Sequence, residues 1–332
     1  MPPESAGTFT ARWLSRLRCW GGKLRANMGT RRWRAARSAL AGLVVALSLW
    51  YIARNLVPWV AQADWRQLAP RFDLLGLALA LFTLGVLLGG GSWAALLAGM
   101  GFRLPPLAVL RAHTLANLAK YLPGSVWQVV GKAYLTRQLG VPLGRVTWGL
   151  MVEFGCLVLT GGLVAVAFVP AQTLAPWVRG AVAGTIVAVL AFWPYLARRW
   201  GQFRLRRSRL RLAYLLMSVG WLSNGLALGC VLAALQPVPS ATWGRAIYAM
   251  AISFLAGLLV VVAPSGLGVR EATLAWALGA EVSPGVAAWV ALLARAVVTL
   301  GEVLAFLLLL MAQGATILLR RHNNRSITPM GD

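Results

Sequence analysis

The chain has 332 residues, of which 59% are hydrophobic and only 12% charged. A soluble domain carries about a quarter of its residues charged. Several apolar runs here exceed the ~20 residues needed to cross a hydrocarbon core, which excludes a soluble globular protein and makes this a polytopic membrane protein.

The net charge of +24 would point to nucleic acid in a soluble chain. Here the basic residues gather at membrane flanks instead: nine Lys/Arg in residues 1–37, seven Arg in 198–211 and three in the C-terminal tail. That is a topology signal, so no nucleic-acid partner is expected. Cys19, Cys156 and Cys230 are widely separated and make neither a disulfide framework nor a zinc spacing. His113 and His322 have no second ligand nearby, so neither a metal nor a cofactor is expected.

In chain order, residues 1–37 form a basic cytoplasmic segment, 38–315 the membrane domain and 316–332 a cytoplasmic tail. Trp13, Leu17, Trp20 and Leu24 recur at helical spacing in the first segment, which fits either an interfacial helix or a basic tail that only sets topology. The segment is too long and basic for a signal peptide, so the first span is expected to stay uncleaved. Full spans are expected over 39–57, 74–99, 146–169, 178–197, 211–235 and 285–313. With a cytoplasmic N-terminus, the loops at 101–111, 137–145 and 198–211 fall inside with Arg103, Arg111, Arg137, Arg145 and the Arg cluster. The loops at 170–177 and 236–243 fall outside and hold no Lys or Arg, while the outer segment near 58–73 has Arg66 and Arg71, partly balanced by Asp64 and Asp73. Both termini are therefore expected in the cytoplasm. Gly89–Gly91 and Gly161-Gly162 read as helix-packing positions, because the first cluster lacks the Lys-Ser/Thr of a phosphate loop.

Two regions, 105–140 and 244–280, are apolar but interrupted. In "AKYLPGSVWQVVGKA" (119–133) a helical pattern over 107–120 stops at Pro123-Gly124 and restarts over 126–139. Proline removes a backbone donor and glycine permits a reversal. Arms of ~14 residues span only about 21 Å, so a re-entrant hairpin is expected. The stretch "VVVAPSGLGVREATLAWALGAEVSPG" (260–285) has the same grammar, with a break at Pro264-Ser265-Gly266 and a basic residue, Arg270, after it. Three spans separate the breaks, so two hairpins would enter from opposite faces, as in an inverted repeat. Were 244–262 to cross completely, the second break would instead lie in a discontinuous helix.

Broken helices at membrane depth expose amide groups that can hold an anion. The expected head-group contacts are Lys120, Tyr121, Pro123, Gly124, Ser125, Gln128 and Lys132 at the first break. At the second they are Pro264, Gly266, Gly268, Arg270 and Glu271. Glu153, Arg295 and Glu302 are charges inside spans, where an unpaired lipid-facing group is costly. Arg295 and Glu302 share a helix face but stand about 10 Å apart, so each is expected to pair with another helix. These charges fit either a static ion-pair network, for example Glu153 with Arg295, or a polar pathway that protonates or re-pairs during transport.

"KYLPGSVWQVVGK" (120–132), "VEFGCLVLTGG" (152–162) and "PSGLGVREA" (264–272) resemble the lysylphosphatidylglycerol synthase transmembrane-region family. This is the flippase-like membrane half of bacterial multiple peptide resistance factors, also found alone and in archaeal glycosylation proteins. The resemblance spans roughly 39–315. It implies an inner-membrane protein that translocates an aminoacylated or glycosylated lipid. In the full-length factors a soluble C-terminal domain modifies phosphatidylglycerol. This chain ends about 20 residues after its last expected span, so that enzyme is expected to be a separate partner.

The fold expected is thus an all-α integral membrane protein of about six full transmembrane helices plus two broken or re-entrant hairpins. The function expected is a non-enzymatic flippase or transporter for an anionic or modified phospholipid or a polyprenyl-linked lipid. A membrane-embedded transferase and a non-transporting scaffold are the alternatives. The chain's eight acidic residues form no Asp-x-Asp or Glu-x-x-His motif, which counts against the transferase. Homo-oligomerisation is left open.

Overall fold

The computed structural model describes residues 70–121, 126–200, 205–259, 268–279, 282 and 284–325. The expected span 39–57 and both break motifs, Pro123-Gly124-Ser125 and Pro264-Ser265-Gly266, lie outside the described residues.

Among the described residues every regular element is helical. They are α1 (Phe72–Gly99), α2 (Pro106–Leu118) with a 3₁₀ turn at Ala119–Tyr121, α3 (Trp127–Gln138), α4 (Leu143–Phe168) and α5 (Pro176–Trp200). There follow α6 (Arg207–Leu235), α7 (Ser240–Leu259), α8 (Val269–Leu278) and α9 (Pro284–Arg325). Proline opens α2, α5 and α9, where its missing donor costs nothing and its fixed φ suits a first turn. The end of α1 is closed by Gly101, whose φ of +97° suits a residue without Cβ. The Phe102 amide then donates to the Leu97 carbonyl at 3.1 Å, a Schellman-type cap.

Four helical stretches are long and apolar enough to cross a membrane: Phe72–Gly99, Leu143–Phe168, Arg207–Leu235 and Trp289–Gln313. They match the expected spans 74–99, 146–169, 211–235 and 285–313. The expected span 178–197 is helical throughout as α5, although its described apolar stretch, Pro176–Phe192, is shorter than the other four.

The core is an antiparallel pair, α1 and α6, tied at both ends. The Arg71 amide donates to the Ala234 carbonyl and the Arg206 amide to the Gly99 carbonyl, each at 3.0 Å. The most apolar stretch of α6 is 61% buried, against 28–33% for the other three, which makes α6 the central helix. Small residues set these close approaches, as expected where packing and not water exclusion drives association. Gly161 of α4 lies under the Trp221 ring, and Gly225 of α6 lies against the Ile247 backbone of α7. Gly301 of α9 faces Phe82 and Thr83 of α1, and Gly90 faces Leu110 and His113 of α2. Gly161 and Gly90 belong to the two clusters expected to serve packing.

The interrupted regions are unequal. Helices α2 and α3, 13 and 12 residues long, measure about 20 and 18 Å at 1.5 Å per residue. They run antiparallel, since Gln128 bonds Asn117 while, four residues further along α3 and four back along α2, Lys132 and His113 both face Glu153. Helix α7 has 20 residues and α8 only 10, or about 30 and 15 Å. The first pair is a short hairpin. Length alone lets α7 cross, as in the discontinuous-helix form of the second break.

Candidate functional site

Three carboxylates stand at depth in the described bundle, and each meets a cation from another element. Glu153 lies ten residues into α4, about 15 Å from its start, and Glu302 lies near the middle of the apolar stretch Trp289–Gln313 of α9, about 27 Å from the helix start. Glu302 accepts from the Lys120 ammonium and, through its other oxygen, from the Tyr121 hydroxyl at 2.9 Å. The same hydroxyl lies 3.1 Å from Thr299 Oγ1. One turn back along α9, Arg295 donates from Nε to Glu271 Oε1 of α8 at 2.7 Å.

Glu271 has a second task. Its other oxygen accepts from the Gly268 amide at 2.7 Å, closing the start of α8 where helix amides lack partners. Gly268 holds a φ of +84°, a left-handed conformation that glycine adopts without strain. The "GVRE" order therefore builds its own site: Gly268 turns the chain, Glu271 caps the helix three residues on, and Arg270 points elsewhere. Arg270 stacks its guanidinium 4.8 Å from the centre of the Phe254 ring of α7. It also shares an electrostatic neighbourhood with Arg295, Glu271, Glu302 and Tyr121.

The two interrupted regions thus meet on α9. The turn after α2 holds residues 299 and 302, and α8 holds 295. Among the described residues this cluster has three cations, Lys120, Arg270 and Arg295, and two carboxylates, Glu271 and Glu302, so it carries one surplus positive charge. A cavity of about 40 Å³ opens beside it, lined by Ser253, Arg270, Glu271, Arg295 and apolar residues of α7, α8 and α9. A void of that size admits water. The Arg295 Nη2 atom is buried without a hydrogen-bond partner among the described residues.

Lys132 is not part of this cluster. It donates to both oxygens of Glu153, the longer contact being 2.6 Å, and lies 4.4 Å from the centre of the Trp93 ring. This corrects the expected pairing of Glu153 with Arg295. The α3 lysine reaches Glu153 across the neighbouring helix, whereas Arg295 faces α8. Arg295 and Glu302 do take separate partners, as their spacing requires. Of the expected site residues, Lys120, Tyr121, Gly268, Arg270, Glu271, Arg295 and Glu302 are brought together. Gln128, Lys132 and Glu153 lie on the other side of the hairpin.

Sequence reasoning missed His113, Asn117 and Trp93. His113 is 7% exposed, its Nε2 lies 3.1 Å from Asn117 Nδ2 and its Nδ1 4.0 Å from Glu153. The signal was present: His113, Asn117 and Lys120 stand at i, i+4 and i+7, a polar stripe along one face of α2.

The sequence profile of the family described as the lysylphosphatidylglycerol synthase TM region matches residues 38–305. The chain belongs to this family. The match takes in both break motifs and every buried ion pair described above, so the family's membrane region contains the whole candidate site. Membership ties the protein to a lipid-related role at a membrane. No curated protein matches the chain.

Proposed function

We propose that this protein translocates a phosphate-bearing lipid, with the head group seated against Arg270 in the cavity between α7, α8 and α9. One observation carries the reading: among the described residues a part-buried cluster of three cations and two carboxylates keeps a surplus positive charge beside a cavity between α7, α8 and α9. An uncompensated charge there is costly, and sites of this kind mark substrate paths in membrane proteins. An incoming phosphate would complete the charge balance. It would accept from the Arg270 guanidinium and from Arg295 Nη2, which suits the fork geometry of arginine.

Lys120 and Lys132, each committed to a carboxylate, serve in this reading to hold the hairpin against α9 and α4. The protein acts as a transporter and catalyses no bond making. Anionic phospholipids, aminoacylated phospholipids and polyprenyl phosphates share the phosphate chemistry. Their head groups beyond the phosphate distinguish them. A bacterial inner-membrane location with both termini in the cytoplasm fits the arginine-rich segments.

The test is head-group translocation in proteoliposomes carrying fluorescent phosphatidylglycerol, lysyl-phosphatidylglycerol or a polyprenyl phosphate. Faster exchange of one of these, lost in Arg270→Ala, is the expected result and identifies the lipid class. Wild-type protein that is folded and accelerates none of the three overturns the reading and favours a scaffold.

A further inference from the structure

The head-group cluster leaves a second buried polar group unused. Around His113 the structure describes a directed hydrogen-bond chain. Gln128 Nε2 donates to Asn117 Oδ1 at 2.9 Å, so the amide nitrogen of Asn117 is the atom facing the imidazole, 3.1 Å from Nε2. Nε2 must then accept, and the neutral ring carries its proton on Nδ1. Nδ1 faces Glu153 across 4.0 Å and has no hydrogen-bond partner among the described residues. Buried polar atoms are nearly always paired, so an open donor facing a carboxylate calls for an explanation. Gly89 and Gly90 make the room: a Cβ on either would lie 3.4 and 3.6 Å from the ring.

The groups facing this pair come from every packed helix. They are Lys132 of α3, Cys156 of α4, Tyr214 of α6 beside Cys156, and Lys120 at the end of α2, itself held by Glu302 of α9. From α1 comes Trp93, which donates to Thr136 Oγ1 at 3.3 Å and does not titrate. Imidazole is the one group here whose ordinary charge change falls near neutral pH.

We propose that His113, with Glu153 and Lys132, is a proton-binding site that couples lipid movement to a transmembrane pH difference. A proton from water on one face forms an N–H bond at Nε2. The imidazolium then closes on Glu153 through Nδ1–H, and Lys132 shares the carboxylate. With Nε2 now a donor, the Asn117 amide must turn over to present Oδ1, which withdraws the acceptor from Gln128. The protonation state of a buried ring is thereby relayed to the first turn of α3, the arm that follows the break. Release of the proton from Nε2 to the other face restores the chain. The coupling rests on the transport reading; the proton site does not.

The chain has two histidines, so ¹⁵N-histidine labelling in nanodiscs gives two imidazole signals, and His322→Gln assigns them. The expected result is that His113 starts with Nε2 unprotonated and becomes an imidazolium as the pH is lowered within the folded range. Glu153→Gln should move that titration to lower pH by removing the carboxylate that stabilises the charged ring. In proteoliposomes, one coupled proton shifts the lipid ratio between leaflets by up to about tenfold per pH unit of gradient. Whatever exchange His113→Gln retains should no longer respond to the gradient. An imidazole that stays neutral throughout the folded range overturns the proton site, whatever the lipids do. Lipid exchange in wild type that ignores the gradient overturns the coupling. Absence of any exchange overturns the transport reading, and the coupling with it, while the labelled imidazole still decides the proton site.

Discussion

Lys120 and Glu302, 182 residues apart in the chain, form an ion pair that fixes the end of α2 against the middle of α9. Their side chains are 18% and 5% exposed, so both charges are largely withdrawn from water. Removing one partner of a buried pair leaves the other uncompensated and costs about 3–5 kcal/mol, whereas replacing both with apolar groups of similar volume is often near neutral. Lys120→Met or Glu302→Leu alone should therefore lower the melting temperature in detergent strongly, and the double variant should recover most of the loss. If the single variants melt like wild type, the pair does not hold the hairpin.

Glycine packing gives a sharper steric contrast. A Cβ at Gly225 would lie 2.6 Å from Ile247 Cα, a backbone atom that cannot rotate away. Gly225→Ala should cost about 1–3 kcal/mol through overpacking. Gly184→Ala in α5, where nothing lies within 4 Å, should change stability by less than about 1 kcal/mol and towards greater stability. Thermal unfolding of the two variants side by side tests whether α6 and α7 really touch through backbone.

Helix positions were legible because twenty apolar residues in a row admit few readings, and the boundaries of α1, α4 and α6 agree with the sequence to within a few residues. The charge pattern also revealed that Arg295 and Glu302 need separate partners, since seven residues of helix is a fixed distance. What sequence could not give was which helix neighbours which. Glu153 could be assigned to Arg295 only by assuming that α4 and α9 meet there. In the fold, α3 stands beside α4 and supplies Lys132. His113 was set aside as a lone histidine for a related reason. Beside Asn117 on its own helix, a single histidine shows little chemistry until Gln128 of α3 and Glu153 of α4 are brought round it.

Arg270 should behave oppositely to Lys120. It has no carboxylate within bonding distance among the described residues, and it lies in the field of Arg295. Arg270→Gln gives up a cation–π contact with Phe254 worth about 0.5–2 kcal/mol, and relief of like-charge repulsion offsets that loss. Stability should stay within about 1 kcal/mol of wild type. Lipid exchange should fall about tenfold or more, matching the loss of a charge-assisted hydrogen bond worth about 1.5–3 kcal/mol. A variant that loses stability and exchange together would make Arg270 a structural residue.

The antiparallel packing of α2 and α3 makes a topological prediction. Arg103, Arg137 and Thr173 are exposed, on the segments before α2, at the end of α3 and after α4. If the hairpin turns within the membrane, the chain returns to the face it left, and α4 alone then crosses. Single cysteines at these positions, in a chain whose Cys19, Cys156 and Cys230 have been replaced, should react with an impermeant maleimide in a definite pattern. Arg103→Cys and Arg137→Cys should label from the same face and Thr173→Cys from the opposite one, with the arginine positions on the cytoplasmic side. Were α2 and α3 instead the two halves of one crossing, Arg103→Cys and Arg137→Cys would label from opposite faces, and Thr173→Cys would share a face with Arg103→Cys. That outcome would place Lys120 and Lys132 at the middle of a single discontinuous span and remove the hairpin on which the meeting of the two breaks at α9 depends.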